Sequence, residues 1–279
     1  MEYEAHFAGS WYPEDKTELN AQLNNFFQQV TISEPLTKVQ GIIVPHAGYL
    51  YSGLTAAYGF KALADLDFDL AVILAPSHKI SLKTISIFNY SSVKTPLGSL
   101  KVDTSLNAKL IDSELYSDTP KAYIHEHSFE LELPFLQYIA STKSYKILPL
   151  IIGDLSISEF KNASDTLSNY LKDRKTIFIT SSDFTHYGSS FGYLPFIADI
   201  PYNLEQLDLK AINFIEKNDL KGFVQYFTQT GITICGINPI IFMMTLLDKS
   251  KGRLLSYTNS GKISGDYSHC VSYASIAFN

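Results

Sequence analysis

The sequence predicts an α/β fold: a single domain over residues 1–279, built as a mixed or mostly parallel sheet flanked by helices. Three observations carry this. Apolar runs of strand type occur at Gly41-Ile42-Ile43-Val44, Leu70-Ala71-Val72-Ile73-Leu74 and Thr176-Ile177-Phe178-Ile179, and each runs into Pro or Ser and then a histidine. Short apolar runs bounded by turn residues read as strands buried on both faces. Segments of helical period alternate with them, the order that builds βαβ units. No low-complexity linker, fixed-period repeat or charge block divides the chain.

The totals narrow the function. At 279 residues, 46% hydrophobic and 18% charged, the chain can bury a sizeable core. A formal charge of −6 and a pI near 5.6 offer no electrostatic footprint for nucleic acid or an anionic membrane surface. Met1-Glu2-Tyr3-Glu4-Ala5-His6 lacks the basic then apolar pattern of a signal peptide. No apolar run reaches the roughly 20 residues of a membrane helix. Two cysteines, Cys235 and Cys270, are too few for a disulfide framework. A cytoplasmic protein with no nucleic-acid or membrane partner is expected.

In chain order, Phe7-Ala8-Gly9-Ser10-Trp11-Tyr12-Pro13 is an aromatic entry segment holding the one Trp, suited to packing the terminus onto the body. Pro13-Glu14-Asp15-Lys16 opens a helix to about residue 30, with Leu19, Leu23, Phe26, Phe27 and Val30 as its apolar stripe. A strand over 39–44 follows. Ser52 then caps a helix lined by Leu54, Ala57, Tyr58 and Leu63. After the strand at 70–75, alternation at 84–88 and 95–102 predicts strands about a turn, an antiparallel insertion at the sheet edge. Asp103 or Thr104 starts a helix to about 112. A further helix runs from Glu126 to about Ala140, where Pro134 either bends it or marks its true first turn. A strand at 145–152 and a helix at 158–171 lead into the third histidine strand. Residues 189–202 form a loop long enough for a lid or pocket wall. Helices follow at 204–217, 220–229 and 235–247, then strands at 253–258 and 270–278.

Histidines recurring at equivalent strand ends point to one site, because ligands in open α/β sheets bind beyond the carboxyl ends of the strands. His46 and His78 are the leading metal ligands; neutral imidazole suits zinc, copper and iron. His186, three residues after Asp183, serves equally as a third ligand or as an acid/base catalyst. His127, at a helix start, can face the pocket, whereas His125 and His6 read as surface residues. Cys235 lies at a predicted helix N-terminus, where the dipole favours thiolate, and is the best third ligand. Cys270 reads as a buried small hydrophobe. Spacing alone also leaves open a carboxylate set of Glu126, Glu130 and Glu132 with the histidines.

The chain resembles the Memo family, also called AmmeMemoRadiSam system protein B, over essentially its full length. The matching segments are Ala8-Gly9-Ser10-Trp11-Tyr12-Pro13, Pro45-His46-Ala47-Gly48-Tyr49 with Tyr51-Ser52-Gly53, Pro76-Ser77-His78, Thr95-Pro96-Leu97-Gly98 and Glu126-His127-Ser128 with Leu133-Pro134-Phe135. Ser181-Ser182-Asp183-Phe184-Thr185-His186-Tyr187-Gly188, Cys235-Gly236 and Ser272-Tyr273-Ala274 complete the set. The order of the whole set, rather than any one motif, makes the match specific. The family is similar in fold to class III extradiol (LigB-type) dioxygenases, which use non-haem Fe(II). The resemblance implies His46, His78 and Cys235 at the metal positions, His186 as acid/base, and Asp183 and Tyr49 lining the cavity. It implies Fe(II) or Cu as cofactor, with Zn also suited. Cys235 stands where those dioxygenases keep a carboxylate, and a thiolate shifts the preference toward copper or zinc. Ring cleavage therefore does not transfer with the fold. The implied partners are a small-molecule substrate or a phosphotyrosine peptide, with AMMECR-type and radical-SAM proteins as associated components.

Overall fold

The computed structural model describes residues 1–34 and 36–279. The chain opens with a short strand, β1 (Glu2–Glu4), and helix α1 (Lys16–Gln29), whose N-terminus is capped by the Asp15 carboxylate. Strand β2 (Gly41–Val44), helix α2 (Tyr49–Leu63) and strand β3 (Leu70–Pro76) make the first βαβ unit. Then come β4 (Ile85–Ile87), β5 (Ser92–Thr95), β6 (Gly98–Lys101), α3 (Thr104–Leu110) and β7 (Tyr116–Asp118). Helix α4 (Leu133–Ile139), β8 (Lys146–Ile152), α5 (Ile157–Leu171) and β9 (Thr176–Ser181) complete the central motif. The rest is β10 (His186–Gly188), α6 (Ile200–Glu216), α7 (Leu220–Thr230), α8 (Ile237–Leu246), β11 (Gly252–Asn259), α9 (Ser260–Ser264) and β12 (His269–Phe278).

The main sheet is mixed, in the order β10-β12-β2-β9-β3-β8-β4-β7, with β11 paired to β12. Its centre, β2-β9-β3-β8, is parallel; β12 joins β2 antiparallel, and β4 joins β8 antiparallel. Both faces are covered, which is why these strands read as unbroken apolar runs. Ile42 and Val44 pack with α1, α2 and α4 through Leu19, Phe60 and Phe135. Ile43, one residue out of phase, packs on the other face with Phe160 of α5 and Phe242 of α8. The α/β class with a mixed sheet between helices is the predicted one.

Several local expectations are corrected. Helix α2 starts at Tyr49, with Gly48 as its cap, because the Ser52 hydroxyl donates to the Ala47 carbonyl instead of capping; Leu54, assigned to its apolar side, is exposed. Pro134 lies in the first turn of α4, where its missing N–H costs nothing, so the helix begins seven residues after Glu126. The hairpin β5-β6 does not join the main sheet. It pairs with β1 in a separate three-stranded sheet, while β4 and β7 form the main edge. The 189–202 loop is shorter than predicted, since a 3₁₀ turn takes up Ser189–Phe191 and α6 begins at Ile200. Among the described residues, no helix is long and apolar enough to cross a membrane.

The N-terminal segment is fastened by one buried carboxyl group. Glu130 accepts from the His6 and Phe7 backbone N–H groups, each at 2.8 Å, and from the Tyr12 hydroxyl at 2.9 Å. Glu130→Ala strands three donors, so a loss of about 3 kcal/mol of unfolding free energy is expected in urea titration. A loss below about 0.5 kcal/mol, the size of an ordinary surface change, would show that the segment is held elsewhere.

Candidate metal centre

The carboxyl ends of three adjacent parallel strands deliver the site. β2 ends two residues before His46, β3 two before His78, and β9 two before Asp183. Cys235 comes from the segment ahead of α8, two residues before that helix begins. The possible ligand atoms of His46, His78 and Cys235 all lie within 4.8 Å of one another. Cys235 Sγ is 3.2 Å from His46 Nε2. Two donors held at ~2.0–2.3 Å from one ion stand only slightly farther apart than this, so the donor set fits a single transition-metal ion.

Each imidazole is oriented by a partner at Nδ1, the usual arrangement behind a ligating histidine. His78 Nδ1 is 2.9 Å from Glu126 Oε1, and its backbone N–H donates to Glu126 Oε2 at 2.6 Å. His46 Nδ1 lies 2.6 Å from Ser181 Oγ. Asp183 ties the two sides together. Its Oδ1 accepts from His46 N–H at 3.0 Å, and its own N–H donates to Cys235 Sγ at 3.1 Å.

Burial dominates the electrostatics. It pushes the His46 imidazole well below its ordinary value, with His127, His78 and His186 adding to the effect. Burial also raises the Cys235 thiol, and Asp183 adds to that, so the protein alone does not produce the thiolate that helix-terminus placement suggests. A cation bound between the donors reverses that sign, since coordination favours the deprotonated sulfur. Burial raises Asp183 to about 6 against the pull of His186. Burial also works against an ionised Glu126, but the His78 hydrogen bond and charge outweigh it and hold the carboxyl at about 2.

Of the other candidates, His127 contacts His78, whereas Tyr49, expected to line the cavity, is buried in the core. His127 stacks on His78 with ring centroids 4.6 Å apart, and burial lowers it to about 4. His186 opens β10, half-buried, with Nδ1 at 3.0 Å from the Phe184 carbonyl and 3.1 Å from that of Thr233. Tyr49 faces the core: its hydroxyl donates to the Leu131 carbonyl at 2.7 Å, and its ring packs on Tyr12 and Phe135. His125 contacts His6 at the surface, Cys270 is buried, and His269 stacks on Phe191 beyond His186. Sequence reasoning passed over Trp11, whose ring lies 4.5 Å from that of His127 and walls the site. Its position in a hydrophobic entry segment gives no period that would reveal this. Ser181 and Glu132, behind His46, were also missed as a pair, because 49 residues separate them.

A cleft of about 200 Å³ opens beside Cys235, between Ser77, Leu82, Gly153 and Pro239. The larger groove, about 790 Å³ beside Lys16 and Tyr145, holds none of the donors.

Fold and geometry together define an α/β protein with a His/His/Cys group, at the ends of parallel strands, competent to hold a metal ion. The comparisons with known proteins agree on its family. The family described as Memo-like protein matches residues 3–277. The protein memo-1 homolog of Caenorhabditis elegans is 32% identical, covering 97% of this chain and 81% of that one. MEMO1 family proteins of Nitrosopumilus maritimus and Thermoplasma volcanium are 33% and 34% identical, covering 97% and 96% of this chain and 97% and 95% of their own. This chain belongs to the Memo family. Among solved structures, an uncharacterized protein of Escherichia coli K12 superposes with a TM-score of 0.54 at 11% identity, covering 86% of this chain and 99% of that one. That likeness is one of fold.

The position of Cys235 depends on its neighbour. A Cβ on Gly236 would stand 2.3 Å from Ser182 Cβ and 2.8 Å from the Ser181 carbonyl oxygen. Gly236→Ala must therefore push the start of α8 off the β9 loop, with an expected loss of 1–3 kcal/mol, about the cost of overpacking, in urea unfolding. Unchanged stability would mean that the loop yields freely.

Proposed function

We propose that this Memo-family protein is a cytoplasmic metal-dependent redox enzyme acting on a small chelating molecule, with His46, His78 and Cys235 holding Fe or Cu. The observation that carries the reading is the convergence of two imidazoles and a thiol from distant parts of the chain, all within 4.8 Å. A bound iron or copper ion supplies one-electron chemistry and open coordination positions, whereas zinc on the same donors supplies Lewis acidity alone. The likeness to LigB-type dioxygenases belongs to this reading.

The chain's own groups suit the rest of the task. Carbonyl oxygens only accept, so the two that face His186 Nδ1 fix the proton there and leave Nε2 as the free base. His186 can then take a proton from a substrate hydroxyl. Asp183 holds the His46 and Cys235 segments in register, and Trp11 with His127 supplies an aromatic wall. Protein purified anaerobically is expected to carry about one iron or copper per chain by elemental analysis, lost in His46→Ala and Cys235→Ala. His186→Gln should keep the metal but lower oxygen uptake with a turned-over catechol-like substrate by about 10²–10⁴-fold. Wild type without metal under reducing conditions sinks the reading.

A second reading, a peptide-binding adaptor or metal-handling protein that retains the pocket, is favoured by one feature. Leu50 is 74% exposed and Tyr51 40%, in the first turn of α2 directly after the His46 loop. Adjacent exposed apolar residues next to the His46 loop suit a macromolecular partner. Proteins captured from cells equally by wild type and His46→Ala, but lost with Leu50→Glu, would favour this reading. Capture unaffected by Leu50→Glu would remove it.

A further inference from the structure

Ser181 Oγ has three close polar neighbours and one proton to give. It is 2.6 Å from His46 Nδ1, 2.5 Å from the Ser128 carbonyl oxygen and 2.8 Å from Glu132 Oε1. A serine hydroxyl has one proton and two lone pairs. The Ser128 carbonyl can only accept, and its contact is the shortest of the three, so the Ser181 proton goes there. Both remaining neighbours then face lone pairs, and each must bring a proton of its own. His46 brings Nδ1–H. Glu132 brings a carboxylic-acid proton on Oε1.

We propose that Glu132 is a neutral carboxylic acid donating to Ser181 Oγ, and that Ser181 and Glu132 are positioning residues that lock His46 in the Nδ1–H tautomer with its Nε2 lone pair bare toward Cys235. The surroundings of Glu132 agree. The side chain is fully buried, and its Oε2 has no hydrogen-bond partner among the described residues. An ionised carboxylate would leave half its charge unsolvated there, whereas the carbonyl oxygen of a neutral acid tolerates that position far better. Burial raises the group well above the carboxylate range, and Asp183 adds to this by repulsion. Were Glu132 ionised, it would draw the Ser181 proton away and leave two oxygen lone pairs opposed across the 2.5 Å contact with Ser128.

Two carboxyl groups six residues apart thus do opposite work. Glu126, ionised, accepts directly from His78 and strengthens it as a donor; Glu132, neutral, reaches His46 only through a hydroxyl and adds no charge to the site. The tautomer assignment stands on geometry alone. Its consequence for metal affinity rests on the reading of His46 as a ligand.

The test uses the full chain, first stripped of metal with a chelator. Infrared difference spectra between wild type and Glu132→Gln should show a protonated carboxyl C=O stretch at neutral pH that the variant lacks. Long-range proton–nitrogen correlation of histidine-labelled protein should read His46 as Nδ1–H in wild type and in Glu132→Gln, whose amide still donates. Zn(II) is then titrated against a chromophoric chelator. Ser181→Ala should bind about 10–100-fold more weakly, the usual loss when a group behind a ligating histidine is removed, and Glu132→Gln should bind as wild type does. Absence of the acid band, or His46 read as Nε2–H, overturns the proposal without any variant of Ser181 having to fold. Zn(II) bound equally by Ser181→Ala overturns the positioning role. If wild type binds no Zn(II) while band and tautomer are as expected, the metal reading fails and the junction stands.

Discussion

The in-register parallel pairing of β2 with β9 sets the level at which everything else meets. Val44 lies opposite Ser181, and the Ser182 N–H donates to the Val44 carbonyl at 2.8 Å. Two residues further on, the chains stay joined, because His46 N–H donates to Asp183 Oδ1. β3 pairs on the other side of β9, with Leu74 opposite Thr180, so His78 emerges at the same height. A slip of one residue in either pairing would send Ile43 and its neighbours to the wrong face and carry both imidazoles away from one point. The two imidazoles are therefore spaced by the sheet, and the apolar burial that stabilises the fold also fixes their separation.

That dependence explains which parts of the structure could be read in advance. β2, β3, β8 and β9 are buried on both faces, so their sequences are continuous apolar runs and their ends are marked by Pro, Ser or Gly. The donors at those ends, His46 and His78, were legible for the same reason, and Cys235 because a glycine and a helix start follow it. β1, β7 and β10 are three residues each and carry polar or exposed side chains, which leaves no period to detect. The alternation at 84–88 and 95–102 did not reveal the hairpin β5-β6: residues 85–87 form β4 of the main sheet, and the hairpin's first strand, Ser92–Thr95, pairs with β1, 90 residues away in sequence. Trp11 was opaque in a different way. An aromatic residue in an entry segment packs somewhere, and only the clasp on Glu130 decides that it packs beside His127.

Holding this site together costs stability that the core must offset. Glu126, Glu130, Glu132 and Asp183 are all buried, and burial works against the ionised form of each. The four escape in different ways. Glu126 takes a histidine as partner, Glu130 takes three donors from the N-terminal segment, and Asp183 takes a backbone N–H with His186 nearby. Glu132 has only a hydroxyl and a repelling neighbour, which is the environment that keeps a carboxyl group neutral. Charge is thus placed at one histidine and withheld from the other, although both reach their partners through the same ring nitrogen.

The third donor has a different origin from the other two, and that difference bears on the chemistry. His46 and His78 are fixed by strands, whereas Cys235 comes from the segment between α7 and α8 and is located by local contacts with Ser182 and Asp183. The donor that segment presents, a cysteine sulfur rather than a carboxylate, would favour softer and more oxidisable metal chemistry once deprotonated by a bound cation. In this protein the sheet decides where a metal would sit, and one loop residue decides what such a metal could do.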